Sequence, residues 1–82
     1  MPSDIETRQR VSTFLLNDFL SESRANNWVY SFADVALATE VFPTRIGQPG
    51  VLKGVAVDLR EGGLEVQKFD EVQKAYFRVW RI

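Results

Sequence analysis

The sequence predicts an α+β domain in which helices come first and a β-hairpin closes the chain. Two observations carry this prediction. Apolar residues at helix-like spacing run up to a double glycine, Gly62-Gly63, which is a common helix stop. Two alternating segments rich in β-forming residues follow it, Leu64 to Phe69 and Ala75 to Ile82.

The composition predicts one small soluble domain spanning residues 1–82. Hydrophobic residues make up 45% of the chain, which is ordinary for a globular protein. There is no cysteine, so a reducing compartment fits, and the longest apolar run falls far short of the roughly 20 residues that a membrane span needs. No basic segment followed by an apolar one begins the chain. We therefore expect a cytoplasmic protein that does not enter a membrane.

The residue types also argue against catalysis. Without histidine or cysteine, the chain lacks the usual metal ligands, thiol nucleophiles and imidazole bases. Neither a P-loop nor a GxGxxG pattern is present. We expect no enzymatic activity, no metal and no cofactor.

The net charge of −1 neither proves nor excludes nucleic-acid binding, but its distribution is uneven. Residues 1–44 carry three Arg against six Asp and Glu, whereas residues 45–82 carry seven Lys and Arg against five Asp and Glu. The C-terminal half is therefore mildly basic.

The N-terminal segment predicts a long amphipathic helix from about Asp4 to Arg24. Ser3 and Glu6 fit a capping box at its start, and Asn26-Asn27 offers a C-terminal turn. Its apolar residues recur at steps of three and four: Ile5, Val11, Phe14, Leu15, Phe19 and Leu20. We expect this face to pack in the core, and a dimer contact is the alternative.

A short strand and a second helix are predicted next. Trp28 to Tyr30 is a cluster of β-formers, expected to pair with the hairpin. Ser31 and Asp34 form another cap, which starts a helix of about ten residues within SFADVALATEV. Its inward residues are expected to be Phe32, Val35, Ala36 and Val41. Phe42 to Gly50 is predicted to be a loop because it is rich in Pro and Gly.

The third helix is predicted to begin at Pro49, because proline is favoured at the first helical position. The residues expected to face inward are Val51, Leu52, Val55, Ala56 and Leu59. Those expected to face outward are Gly50, Lys53, Gly54, Val57 and Arg60. A competing interpretation reads residues 51–60 as a strand, since Val55, Val57 and Leu59 also alternate. The domain would then be a helical pair packed on a three-stranded sheet.

The hairpin is predicted to have a five-residue tip, Asp70 to Lys74. Basic residues accompany Tyr76 and Trp80 along it: Lys68, Lys74, Arg78 and Arg81. Such side chains can contact phosphates, or they can simply protect an exposed strand from aggregation.

The order of these elements resembles the winged helix-turn-helix superfamily. The residues that carry the resemblance are the end of the third helix, Leu59-Arg60-Glu61-Gly62-Gly63-Leu64, and the final strand, Tyr76-Phe77-Arg78-Val79. The ending also resembles winged-helix segments attached to primase–helicase proteins of phages and plasmids. The resemblance implies three helices, a short first strand and a hairpin wing.

It also implies a small protein that binds double-stranded DNA, either a transcriptional regulator or an accessory factor of replication or of a mobile element. Residues expected near the major groove are Arg45, Gln48, Lys53 and Arg60. Residues expected at the flanking phosphates are Lys68, Lys74 and Arg78. The alternative is a protein-interaction module that docks a partner or a second copy through helix 1 or the Gly54–Val57 face.

Overall fold

A computed structural model describes residues 3–22 and 26–82 of the chain. This part contains four helices and one three-stranded antiparallel sheet, so the α+β prediction is confirmed and the helix count is one higher than predicted. The elements are α1 (Asp4–Ser21), β1 (Asn27–Ser31), α2 (Phe32–Thr39), α3 (Pro43–Ile46), α4 (Pro49–Glu61), β2 (Leu64–Glu71) and β3 (Lys74–Arg81).

The last strand is the centre of the sheet, whose order is β1-β3-β2. Tyr30 of β1 lies opposite Phe77 of β3, which confirms that the first strand pairs with the hairpin. Val66 of β2 lies opposite Val79 on the same face of β3. The helices cover this face and bury Phe77 and Val79 almost completely. The core therefore lies between one face of the sheet and the helical layer.

The first helix is shorter than predicted. Ser3 does cap it, with its hydroxyl accepting from the Glu6 N–H at 3.1 Å. The helix ends at Ser21, and β1 already begins at Asn27, so the predicted stop at Asn26-Asn27 is wrong. The predicted end, Arg24, lies outside the described residues. The last α1 residue that the core buries is Phe19, and beyond it packing gives the helix little support.

The second helix has eight residues rather than about ten. Ser31 caps it as predicted, accepting from the Asp34 N–H at 3.0 Å. Its end is set by Glu40, which adopts a left-handed backbone with φ of 58°. The Val41 N–H then donates to Ala36 O at 3.3 Å, closing the helix end in the manner of a Schellman motif. Of the predicted inward residues, the structure buries Phe32, Val35 and Val41 and half-buries Ala36.

The segment predicted as a loop contains the short helix α3, so that prediction is wrong in its middle part. Pro43 occupies the start of α3, where its missing N–H costs no hydrogen bond. Ile46 at the end of α3 is fully buried in the core. Burial of one large side chain therefore organises a segment whose Pro and Gly content indicated irregular structure.

Residues 49–61 form a helix, which confirms the preferred prediction and shows that the strand interpretation was wrong. The buried residues Val51, Val55 and Leu59 recur every four positions, and this spacing places them on one helical face. The β-branched residues are tolerated because burial of this face outweighs their weak helix propensity.

Gly54 faces the protein interior, so its predicted outward position is wrong. The Arg8 side chain of α1 crosses directly over it, and a Cβ added at Gly54 would lie only 2.6 Å from Arg8 Nε. Beyond the glycine, the Arg8 guanidinium donates to both carboxylate oxygens of Asp58 at 2.9 and 2.8 Å. The Ser12 hydroxyl donates to the same carboxylate at 2.7 Å. Gly54 thus leaves the space that lets α1 and α4 be joined by a bidentate ion pair.

The Arg8 hydrogen bonds hold the pKa of Asp58 below its ordinary value, and the Ser12 hydroxyl adds to this, against the opposing effect of burial. The same contact raises the pKa of Arg8. Each shift favours the charged form of its group, as expected when the bridge stabilises both charges.

We predict that the effect of Gly54→Ala on stability depends on Arg8. In the natural chain the new methyl group displaces Arg8, and the lost bridge offsets or exceeds the gain of about 1 kcal/mol in helix propensity. In an Arg8→Ala background the same change stabilises by about 1 kcal/mol. Urea unfolding of the natural chain, the two single variants and the double variant measures the coupling free energy between Gly54→Ala and Arg8→Ala.

Gly50→Ala is the matched control, because nothing lies within 4 Å of its added Cβ. Effects of Gly54→Ala and Arg8→Ala that add within about 0.3 kcal/mol would contradict the proposed contact.

A second prediction concerns Thr7, whose buried hydroxyl has no hydrogen-bond partner among the described residues. Thr7→Val removes an unsatisfied polar group and should stabilise the fold by about 1 kcal/mol. Thr39→Val is the matched control, because the buried Thr39 hydroxyl donates to Val35 O at 2.7 Å. Thermal unfolding should show a higher Tm for Thr7→Val and no such gain for Thr39→Val. A lower Tm for Thr7→Val would show that the hydroxyl is satisfied.

Candidate nucleic-acid interface

The hairpin ends in a two-residue turn, Val72-Gln73, so the predicted five-residue tip is wrong. Both residues have positive φ, 49° and 62°, as a type I′ turn requires. Asp70 pairs across the hairpin with Ala75, and Glu71 with Lys74. The strands therefore extend to the turn and carry these charges on ordered backbone.

A groove of about 530 Å³ separates the end of this hairpin from the starts of α2 and α3. We call it the tip groove. The hairpin wall includes Lys68, Gln73, Lys74 and Tyr76, and the opposite wall includes Ser31, Ala33, Thr44 and Gly47. Residues from three separate parts of the chain therefore meet at one surface.

The tip groove combines positive charge with hydrogen-bond donors. Lys74 has no ion-pair partner among the residues described. Lys68 contacts Asp70 at 2.8 Å, but both side chains are partly exposed, and such a pair contributes only about 0–1 kcal/mol. The opposite wall includes the hydroxyl residues Ser31 and Thr44, and the Asp34 N–H in the first turn of α2 is already bonded to the Ser31 hydroxyl. An anionic ligand would find both kinds of partner here.

Two further predicted site residues lie near this groove or on the helix that begins beside it. Gln48 is the N-cap residue of α4, and its side-chain N–H donates to the carbonyl of Thr44, a groove residue, at 3.1 Å. Lys53 is exposed on the first half of α4 and has no ion-pair partner within the described part of the chain. The start of α4 is thus joined to a wall of the tip groove through the Gln48–Thr44 hydrogen bond.

The structure places three predicted site residues elsewhere. Arg45 lines a different groove, between α2 and α3, and lies 3.5 Å from Asp4. Arg60 is at the far end of α4, where it pairs with Glu65 at 2.7 Å and lowers the pKa of that carboxyl by hydrogen bonding. Arg78 lies on the sheet face opposite the core.

Around Arg78 the outer face of the sheet is aromatic. The Arg78 guanidinium lies 5.6 Å from the centre of the Phe69 ring. Phe69 stacks on Tyr76 with a centroid distance of 5.2 Å. These contacts stabilise the hairpin from the side away from the helices, so Arg78 already has a structural role.

Sequence reasoning missed the groove residues Ser31, Thr44 and Gln73 as candidate ligand contacts. Ser31 was identified only as a cap, and Thr44 only as a loop residue. No local signal connects them to the hairpin, because the groove exists only after β1 pairs with β3.

Comparisons with protein-family models, with curated proteins and with solved structures found no match for this chain. Among the residues described, no group of three or more acidic side chains is arranged to hold a metal ion. No helix in the same residues has the length and apolar character needed to cross a membrane.

We predict that the turn can be stabilised by residues suited to its backbone. A β-branched residue at positive φ is strained, whereas Asn-Gly is favoured in type I′ turns. Val72→Asn with Gln73→Gly should therefore stabilise the protein by about 1 kcal/mol. Thermal unfolding together with amide exchange of β2 and β3 measures the effect. A lower Tm, or faster exchange near the turn, would contradict the assigned turn geometry.

Proposed function

We propose that this chain is a small winged-helix protein that binds double-stranded DNA, as a transcriptional regulator or as an accessory factor of replication or of a mobile element. The observation that carries the proposal is the tip groove. There Lys68 and Lys74 of the hairpin lie across from the start of α2.

The arrangement of the elements supports this class. A helix, a short strand, two helices joined by a turn, and a hairpin follow one another, and the first strand pairs with the last. In this interpretation α2 and α4 form the helix-turn-helix, α3 is an ordered turn between them, and the β2–β3 hairpin is the wing. The second helix of such a motif enters the major groove.

The surface of α4 favours contact with the phosphate backbone over base reading. Its exposed positions include Gly50, Lys53, Val57 and Arg60. The Lys53 side chain can donate a hydrogen bond, whereas the Arg60 guanidinium is already paired with Glu65. Gln48 at the helix start adds one amide. A DNA complex would therefore gain most of its affinity from Lys68, Lys74 and Lys53 and would discriminate weakly among sequences.

The net charge of −1 is compatible with such binding because the relevant potential is local. Two or three phosphates neutralised by lysines release about as many condensed counterions, which gives an affinity that falls steeply with salt. The affinity should be moderate, since these contacts are few.

We predict that binding to a labelled 20-base-pair duplex weakens with salt, with a log–log slope of about −2 to −3. Lys74→Glu should lower affinity at least about tenfold at low salt and reduce the slope by about 1, and Lys68→Glu should act similarly. Fluorescence anisotropy across a salt series provides both quantities.

Arg78→Glu is the matched control, because it makes the same charge change on the same strand, and Arg78 does not line the tip groove whereas Lys74 does. It should weaken binding much less than Lys74→Glu, and circular dichroism should show that all variants are folded. Equal losses from both variants would point to non-specific attraction and contradict the tip groove as the binding surface. No binding of the natural chain even at low salt would refute the DNA proposal and favour the protein-interaction alternative.

A further inference from the structure

A second groove, between α2 and α3, is almost entirely apolar. We call it the α2–α3 groove. It has a volume of about 580 Å³, and its apolar lining consists of Ala33, Ala36, Leu37, Val41, Phe42 and Pro43. Only Glu40 and Arg45 bring charge to its lining.

The helix that forms one wall is apolar on both sides. Phe32 and Val35 point into the core. Ala33, Ala36 and Leu37 follow the spacing i, i+3 and i+4, so they lie along one side of α2, and Ala36 is half-buried there. Six of the eight α2 residues are apolar, Asp34 is its one charged residue, and an apolar outward side of this kind is normally covered. The outward face of α2 is thus suited to packing against another protein surface.

Two large apolar side chains project from the surface beside the α2–α3 groove. The Leu37 side chain is 80% exposed and Phe42 is 62% exposed, and both border the groove. A surface that presents both projections and a depression can pack against a copy of itself, because a two-fold axis brings each projection of one copy to the depression of the other. The small side chains of Ala33 and Ala36 allow the two α2 helices to approach closely.

The α2–α3 groove also carries one acidic and one basic side chain, so two copies of it can pair opposite charges. Glu40 has no ion-pair partner among the described residues, and its left-handed backbone fixes its position at the end of α2. Arg45 contacts Asp4 only at 3.5 Å. In a two-fold dimer in which Glu40 of each copy meets Arg45 of the other, both cross-contacts join opposite charges. Like charges at both positions would have repelled a second copy.

We infer that the occupant of the α2–α3 groove is a second copy of this chain, which forms a two-fold dimer through α2 and the start of α3. The interface differs from both surfaces that the sequence suggested for dimerisation. Val11, Leu15 and Phe19 of α1 are used by the core, and Gly54 lies beneath Arg8. Ile5 and Leu20, which the sequence also assigned to the core face of α1, are exposed. The contact is small, so the dimer should be weak and dependent on concentration. This inference does not depend on DNA binding.

Sedimentation equilibrium without DNA tests the inference. The natural chain should pass from its monomer mass of 9.4 kDa to twice that mass as concentration rises from about 10 μM to 1 mM, the range of a weak interface. Leu37→Glu or Phe42→Glu should raise the dimer Kd at least about tenfold, because each places a charge in the apolar contact. Val57→Glu is the matched control: Val57 is also an exposed apolar residue, but it lies on α4.

Charge exchange distinguishes a second copy from any other occupant. Glu40→Arg alone and Arg45→Glu alone should each weaken the dimer, whereas an equimolar mixture of the two variants should associate, since all cross-contacts then join opposite charges. The double variant should also dimerise. A natural chain that remains monomeric at 1 mM would overturn the inference, as would dimers that survive Leu37→Glu but are lost in Val57→Glu. A dimer without rescue in the mixture would contradict the two-fold arrangement.

Discussion

The bidentate bridge between Arg8 and Asp58 fixes how α1 crosses α4, and the position of the hairpin follows from that crossing. It joins α1 to α4 across Gly54, at the only type of residue that leaves room for the Arg8 side chain. Because α4 leads directly into β2, the orientation of α4 sets where the hairpin leaves the helical layer. The position of the tip groove therefore depends in part on how α1 packs against α4. An ion pair with partly exposed members contributes modestly to stability, but its fixed geometry selects one packing of the two helices.

Much of the fold could be predicted because its elements carry local signals. The hydroxyls of Ser3 and Ser31 cap the helices that the sequence assigned to them, and Pro49 starts α4. The features that could not be predicted depend on distant residues. Gly54 reads as an outward glycine until Arg8 is known to cross it, and the four residues of α3 are ordered by the burial of Ile46 rather than by their own propensity. The two-residue hairpin turn was missed because Val72-Gln73 lacks the Asn or Gly that normally marks a type I′ turn.

The residues of the candidate site also divide into those with a local sequence signal and those whose role depends on distant contacts. Composition identified the basic residues of the hairpin, and Lys68 and Lys74 do come together in the tip groove. The sequence could not separate them from Arg78, because the groove also needs the wall formed by α2 and α3. Nor could it show that Arg60 is engaged by Glu65, since the turn at Gly62-Gly63 decides whether those side chains meet. Charge counting therefore finds candidates, and the tertiary contacts decide which of them are available to a ligand.

The two grooves share a wall, and this links the two proposals physically. Ala33 and Pro43 line both the tip groove and the α2–α3 groove. A second copy docked on α2 and α3 would therefore lie beside the proposed DNA surface and bring a second tip groove, related to the first by a two-fold axis. Two weak sites on one rigid dimer bind a duplex with a higher effective concentration than either alone, provided that their spacing matches the duplex. A two-fold dimer also selects targets with two-fold symmetry, so sequence preference can arise from the spacing of contacts even where α4 reads few bases. A chain with a small basic surface and few base-reading side chains would in this way obtain from dimerisation the affinity and selectivity that one copy lacks.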